Sequence, residues 1–375
     1  MIEYVEIRNT ETELVGIIDT AKSIIWRSSY YGVGDFEIYT QATPEARELL
    51  QSGNYVTRPD NQEIGIIENI NISDSPVDGV MIIASGRFAK SILDRRLIYN
   101  LSGTSNSATI LRGKVETEVR KIVTNNAISC AFDSRRNIPI LELGALSNIP
   151  LVIVDENGNA AQKQVSYDNL LEYSDGVLQE YGLSARVILD DESKKLQYVV
   201  FAGADRSVNN SDGNDPIIFS SEFDNIVSSA YSIDTTQEKN VALIGGEGEG
   251  TARFYSLLSG KEIGLARREV WIDASSISKT YKDESETEQT YTDAEYKAFL
   301  DEKGKQDMSA MKIVEDFNGG LDVTNGNWIY NRDFALGDIV TVESSRIGVY
   351  MDVRILQVTE VQDENGYTVA VDYQN

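Results

Sequence analysis

Residues 22–40 read KSIIWRSSYYGVGDFEIYT. Ser23 to Arg27 is a β-rich run carrying the first tryptophan, Trp26; Gly32 and Gly34 break it, and Phe36 and Ile38 then alternate with Glu37 and Tyr39. Two-residue alternation puts Phe36 and Ile38 on one face of an extended chain, so the stretch predicts strand, glycine turn, strand. Such a hairpin covers a core with one face and meets solvent or a partner with the other. Working outward, Thr43 and Pro44 open a short helix that closes at Gly53, and strands follow around Tyr55 and over 64–72. Asp78-Gly79 then marks a hairpin turn into a strand over 80–84. Beyond Gly86, the spacing of Phe88, Ile92, Leu93 and Leu97 predicts a helix that plugs one end of a barrel.

Composition removes whole classes of chemistry. The 375 residues contain no histidine, which excludes Ser-His-Asp and Cys-His catalysis and histidine-based metal sites. A single cysteine, Cys130, excludes an internal disulfide and any multi-cysteine metal site, and its company of Ile128, Ala131 and Phe132 predicts a buried structural thiol. Sixty acidic against 34 basic residues give a net charge of −26, which disfavours a nucleic-acid-binding surface. No apolar run reaches the roughly 18 to 20 residues that span a bilayer, and the start, MIEYVEIRN, lacks the regions of a secretion signal. A soluble chain of two or three domains is expected.

The character changes near residue 104. Ala108, Leu111, Val115, Val119 and Ile122 follow helical steps, predicting an amphipathic helix of roughly five turns. A second helix is predicted from Ser166 to a stop at Gly182, and then strands over 183–189 and 196–201. The stretch 209–215 is a polar loop, and strands resume from 217 to 272. Residues 273–290, rich in Ser, Thr, Glu and Asp, form an exposed connector. Thr292 with Glu295 makes a capping box for a helix through Tyr296, Phe299 and Leu300 that ends at Gly304. Finally, Gly337-Asp338 turns the chain into an alternating strand, and 351–361 pairs with 367–373 across Asp363-Glu364-Asn365-Gly366. Tyr367, Val369, Val371 and Tyr373 share one face of that last strand, which suits a barrel wall or a subunit seam.

Three stretches invite a ligand reading, and each has a plainer one. Arg87, Arg95 and Arg96 would suit a phosphate, but no glycine-rich phosphate loop accompanies them and Asp94 lies among them, so ion pairs or subunit contacts are expected. The run Gly245-Gly246-Glu247-Gly248-Glu249-Gly250 lacks a following Lys-Ser or Lys-Thr, and its glutamates would repel phosphate; it reads as a sharp strand connection. The acidic connector lacks the alternation and central glycine of a calcium loop and reads as solvated surface.

Several of these residues, in order, carry a resemblance. Trp26, Tyr30, Gly34-Asp35-Phe36-Glu37, Gly65-Ile66-Ile67-Glu68, Gly86-Arg87 and Leu93-Asp94-Arg95-Arg96 resemble the start of the siphophage tail baseplate hub family. That family is similar in fold to contractile-tail hubs and to the amino-terminal part of tail-associated lysins. The resemblance continues in Gly203-Ala204-Asp205-Arg206-Ser207, in Lys239-Asn240-Val241-Ala242 with Gly245 to Gly248 and Arg253, and in Asp333 to Val340 followed by Arg354-Ile355.

It implies a β-rich α+β fold, with two β-barrel hub domains, an intervening small α/β domain and a short helical connector. The expected division is a first β-barrel region at 1–103, an inserted α/β domain at 104–215, a return to the barrel region at 216–272, an acidic connector with helix at 273–315, and carboxy-terminal barrel strands at 316–375. The resemblance further implies a homotrimer forming a ring that joins the sixfold tail tube to the threefold tip around the DNA channel. The implied partners are the distal tail protein, the tape-measure protein and receptor-binding or tail-tip proteins. The implied location is the virion tail tip, after synthesis in the bacterial host cytoplasm. No enzyme activity is expected, and no catalytic, cofactor-binding or metal-binding residue is assigned.

Two other readings differ in class. A cell-wall glycan hydrolase needs only two carboxylates, but with 60 acids candidate pairs carry no information. A glycan-binding module would use some of the 19 tyrosines and three tryptophans as stacking platforms, residues equally expected on barrel seams.

Overall fold

The computed structural model describes residues 1–103, 105–154, 158–220, 222–223, 225–282, 287–321 and 328–374. The 22–40 stretch folds as its alternation dictates: Ser23–Ser29 pairs antiparallel with Asp35–Gln41, setting Trp26 opposite Phe36 and Ile24 opposite Ile38. All four side chains are buried. The hairpin lies in the middle of an 11-stranded sheet. On one side Asp35–Gln41 pairs with Gly79–Arg87, which pairs with Asn69–Ser75. On the other, Ser23–Ser29 pairs with Val349–Asp363, which continues to Gly366–Gln374, Val314–Leu321 and Ile226–Asp234. Early and late parts of the chain thus share one ladder.

A seven-stranded sheet runs in the order Leu141–Leu143, Lys195–Phe201, Ser184–Asp190, Asn61–Ile66, Tyr55–Arg58, Val5–Arg8, Leu14–Ile18. Its two halves meet through one residue pair, Glu63 with Ile188. Val5, Ile7, Trp26, Phe36, Ile38, Val56 and Phe88 fill the core between this sheet and the hairpin. A second core gathers Tyr30, Phe219, Phe334, Val340, Val358, Val371 and Tyr373 around the late strands. The face of Val369, Val371 and Tyr373 therefore lines the interior. The fold is the expected β-rich α+β class, with 43% strand and 18% helix in multiple sheets.

The helices are α1 (Pro44–Leu49), α2 (Val115–Val123), α3 (Leu170–Glu180) and α4 (Asp293–Ser309). Among the described residues no helix is long and apolar enough to cross a membrane. Helices α2 and α3 pack on the 184–201 strands through Val119, Ile122, Val177, Leu178, Val187 and Tyr198. Helix α4 covers a separate three-stranded sheet of Val241–Gly245, Tyr255–Ser259 and Glu269–Asp273.

Four helical expectations are corrected. The five-turn helix from Ala108 is instead a strand, Thr109–Arg112, then α2, then a π-helical turn over Thr124–Ile128. Gly113, at φ +99°, reverses the chain between strand and helix, a conformation that excludes a continuous helix. Beyond Gly86 the helical turn is the tighter 3-10 form, Ala89–Arg95. Helix α3 starts later than Ser166, because Asn169 caps it by accepting from the Leu171 and Glu172 amides. Gly304 does not end α4: a Cβ there would fall 2.4 Å from Ile244 Cδ1, so this glycine lets the helix approach the sheet. Of the expected exposed connector, residues 283–286 lie outside the described residues, and short strands Thr280–Lys282 and Glu288–Thr290 flank them.

Candidate functional site

Tyr30 closes the first strand of the hairpin and touches four distant parts of the chain. Its hydroxyl donates to the Gly182 carbonyl at 2.8 Å and accepts from the Gly203 amide at 3.2 Å. Its backbone amide donates to the Leu356 carbonyl at 2.7 Å, and its own carbonyl accepts from the Ser184 hydroxyl. Gly337 lies flat against its ring, where a Cβ would fall 2.1 Å from Cε2, and the Arg354 guanidinium stands 5.3 Å from the ring centroid. Burial pushes the Tyr30 phenol above its ordinary range. The side chain acts as a neutral, fully used hydrogen-bonding post.

Some of the other residues that carried the resemblance collect around this post and along the hairpin, while those at 239–253 lie in the small sheet covered by α4. Asp338 accepts from the Ala204 amide at 2.8 Å, the Ala335 amide at 2.9 Å and Arg206 Nε at 3.1 Å. Arg354 donates to the Gly337 carbonyl at 2.6 Å. Gly65 leaves room for the Phe36 ring, and Gly86 for the Ile66 carbonyl, each at a distance no side chain would tolerate. Arg87 grips Glu68 with two nitrogens at 2.9 and 3.0 Å and reaches Asp94 at 3.1 Å, holding the Glu68 carboxyl below its usual range. Arg96 donates to the Arg136 carbonyl at 2.8 Å, and Arg95 stands near Glu68 and Tyr55. Arg87 is thus tied by ion pairs and Arg96 by a hydrogen bond to the backbone.

Beside the post lies a cavity of about 560 Å³ whose wall includes Ser28, Glu63, Arg186, Gly203, Tyr330 and Asp338. Burial pushes the Glu63 carboxyl up to about 7, against weaker opposing pull from Arg186 and Lys90. Nearby, Arg58 makes a bidentate pair with Glu360 at 2.9 and 3.0 Å, both side chains almost fully buried. Tyr367 donates its hydroxyl to Glu360 at 2.7 Å, and the Arg58 guanidinium lies 5.3 Å from the Trp26 ring. Lys163 joins Glu180 at 2.9 Å to Glu302 at 3.2 Å, tying α3 to α4.

Sequence reasoning did not single out Arg58, Glu360 or Glu63. Arg58 ends a short strand, YVTR, that the fold buries on both faces, where an arginine needs an acid.

Cys130 is buried, with Arg136 Nη1 3.7 Å from its sulfur. The glycine run after Gly245 forms a strand connection followed by a 3-10 turn, Gly250–Ala252, and the Glu247 amide is taken by the Tyr296 hydroxyl at 2.7 Å. Among the described residues no group of three or more Asp, Glu or Cys side chains is placed to hold a metal ion. The geometry joins distant chain segments.

The fold as a whole is similar to those of solved phage tail proteins. The chain is similar over 99% of its length to the 43 kDa tail protein of prophage MuSo2 from Shewanella oneidensis, covering 98% of that chain at 14% identity and TM-score 0.56. It is likewise similar over 99% of its length to a tail protein from Neisseria meningitidis MC58, covering 96% of that chain at 14% identity and TM-score 0.54. No curated protein matches the sequence. The chain belongs to the Siphovirus ReqiPepy6 Gp37-like protein family, whose profile matches residues 4–372.

Proposed function

We propose that the chain is a structural subunit of the tail baseplate hub of a phage or prophage-derived particle. In this reading three copies form a ring at the tail tip that joins the sixfold tube to the threefold tip and surrounds the DNA channel. Family membership over 4–372 is the observation that carries it. The shared sheet supports it: strands from the early and late parts of the chain pair in one ladder, a tie suited to a load-bearing ring subunit. Its partners would be the distal tail protein, the tape-measure protein and receptor-binding or tail-tip proteins. At −26 a bore formed by such subunits would repel DNA and not retain it. The division at 103 and 215 is carried forward, and the limit at 315, which falls inside Val314–Leu321, is moved to the loop at 310–313. The limit at 272 is replaced by one in the turn at 235–240, because Val241–Gly245, Tyr255–Ser259 and Glu269–Asp273 form their own sheet and share a core with α4 through Ala242, Ile244, Ile272, Ala274 and Ile277.

The native mass of the purified chain tests the ring, followed by electron images of the same sample. Three chains of 41.6 kDa around a central opening are expected. A persistent monomer that also fails to label isolated tail tips would overturn the reading.

One observation favours glycan hydrolysis: Glu63, with its raised carboxyl, faces a cavity as a general acid would. The other acids of that wall are engaged, Asp60 by Arg58 and Asp338 by three donors, which leaves no open partner carboxylate. No release of reducing ends from purified peptidoglycan is expected; release that Glu63→Gln abolishes would install the hydrolase instead.

A further inference from the structure

The two faces of the sheet formed by Val241–Gly245, Tyr255–Ser259 and Glu269–Asp273 differ. Ala242, Ile244 and Ile272 are buried against Tyr296, Phe299 and Leu300 of α4. The opposite face carries Leu243, Tyr255, Leu257 and Trp271, exposed by 42, 49, 52 and 48%. The register sets Leu243 beside both Leu257 and Trp271, and the Tyr255 and Trp271 rings lie 6.2 Å apart. The indole lies over Gly245, where a Cβ would fall 2.2 Å from its Cη2, so the glycine keeps this face flat. The loop leaving the sheet adds Ile263 and Leu265, exposed by 82 and 102%.

Single exposed leucines are ordinary, but a contiguous apolar face is not. The exposed parts of these six residues come to roughly 600 Å², at the upper end of the largest patch usual on a monomer.

Charge selects the occupant. The arginines around the face are ion-paired: Arg253 with Asp273 at 2.5 Å, Arg267 with Glu269 at 2.6 Å and Arg268 with Glu238 at 2.9 Å. Residues 241–273 hold four basic and five acidic residues, a balance of −1 on a chain of −26. A basic partner would gain more from the acidic remainder, whereas a like-charged partner can approach only where charge has been neutralised. We propose that this face docks a second copy of the chain, within the ring of copies on which this inference rests.

Sedimentation velocity of the full chain over a concentration series tests it, comparing wild type with Leu257→Glu and Leu265→Asp. Circular dichroism checks the fold. Leu265 lies in a loop with its side chain in solvent, so Leu265→Asp remains informative if Leu257→Glu disturbs the sheet. Wild type is expected to associate, and each variant to weaken association at least tenfold with its spectrum unchanged. Variants that associate like wild type would overturn the docking face while leaving the ring standing. A wild type that stays monomeric throughout would overturn self-docking, and the hub reading is then scored separately by antibody labelling of tail tips. Self-association intact in the variants, with loss of binding only to a different tail protein, would also overturn it.

Discussion

Glu360 and Arg58 are the residues whose removal the fold should tolerate least. Breaking a buried, bidentate pair leaves one charge unpaired, a loss of about 3–5 kcal/mol. Glu360→Ala should therefore lower the urea midpoint far more than Asp60→Ala, whose carboxylate is half-exposed and contributes less than about 1 kcal/mol. Equal losses would show that the burial of the Glu360 pair has no special weight. Glu63 predicts a pH dependence of definite sign. Its proton is held in the fold up to about pH 7 against an ordinary value of 4.5, so stability is full below about 4.5 and falls as pH rises through 7. Glu63→Gln should remove that fall, a gain of up to about 3 kcal/mol at pH 8 over wild type and little at pH 4.5. Urea unfolding at the two pH values measures it; a gain independent of pH would point to packing instead. Neither residue stood out in the sequence, because an acid's burial depends on strands far away in the chain. Tyr30, Gly337 and Asp338 were legible as parts of a resemblance, but their meeting at one post was not.

At the scale of elements, local signals were read well where they were self-sufficient. The 22–40 hairpin and the Asp78-Gly79 turn needed only alternation and a glycine at positive φ, +76° for Gly79. The capping box formed as read, with the Glu295 amide donating to Thr292 Oγ1 and the Thr292 amide donating to Glu295 Oε2. Thr292→Ala should cost about 1 kcal/mol. Its mark should be faster amide hydrogen exchange confined to the first turns of α4; no change there would mean that packing on Tyr296 and Phe299 alone sets the helix start. Two of the failures came from glycine. Gly113 and Gly304 look alike in sequence, yet the first reverses the chain and the second closes a helix–sheet contact. Only the neighbour across the gap, Ile244 for Gly304, decides between them. The outer apolar face of the small sheet was hidden for a related reason. The sequence marked strands over 217–272, but not which of their faces a helix would cover.

For the whole molecule the governing quantity is the charge of −26. Copies brought together repel, and the repulsion is screened over about 30 Å at 0.01 M salt but only about 8 Å at 0.15 M. Self-association should therefore tighten as salt rises across that range, as read by sedimentation velocity. An interface made by opposite charges would weaken instead, which would reverse the assignment of a neutral apolar contact.

The pairing of Ser23–Ser29 with Val349–Asp363 also sets a schedule for the newborn chain. The early strand leaves the ribosome with one edge open and waits for its neighbour across more than 300 residues, roughly 15–60 s of elongation. During that wait an apolar ladder edge is available to any passing strand, a known route to misassembly. A chain interrupted before residue 349 cannot finish the sheet that holds Tyr30, so a prematurely ended copy would be withheld from assembly by its own incompleteness.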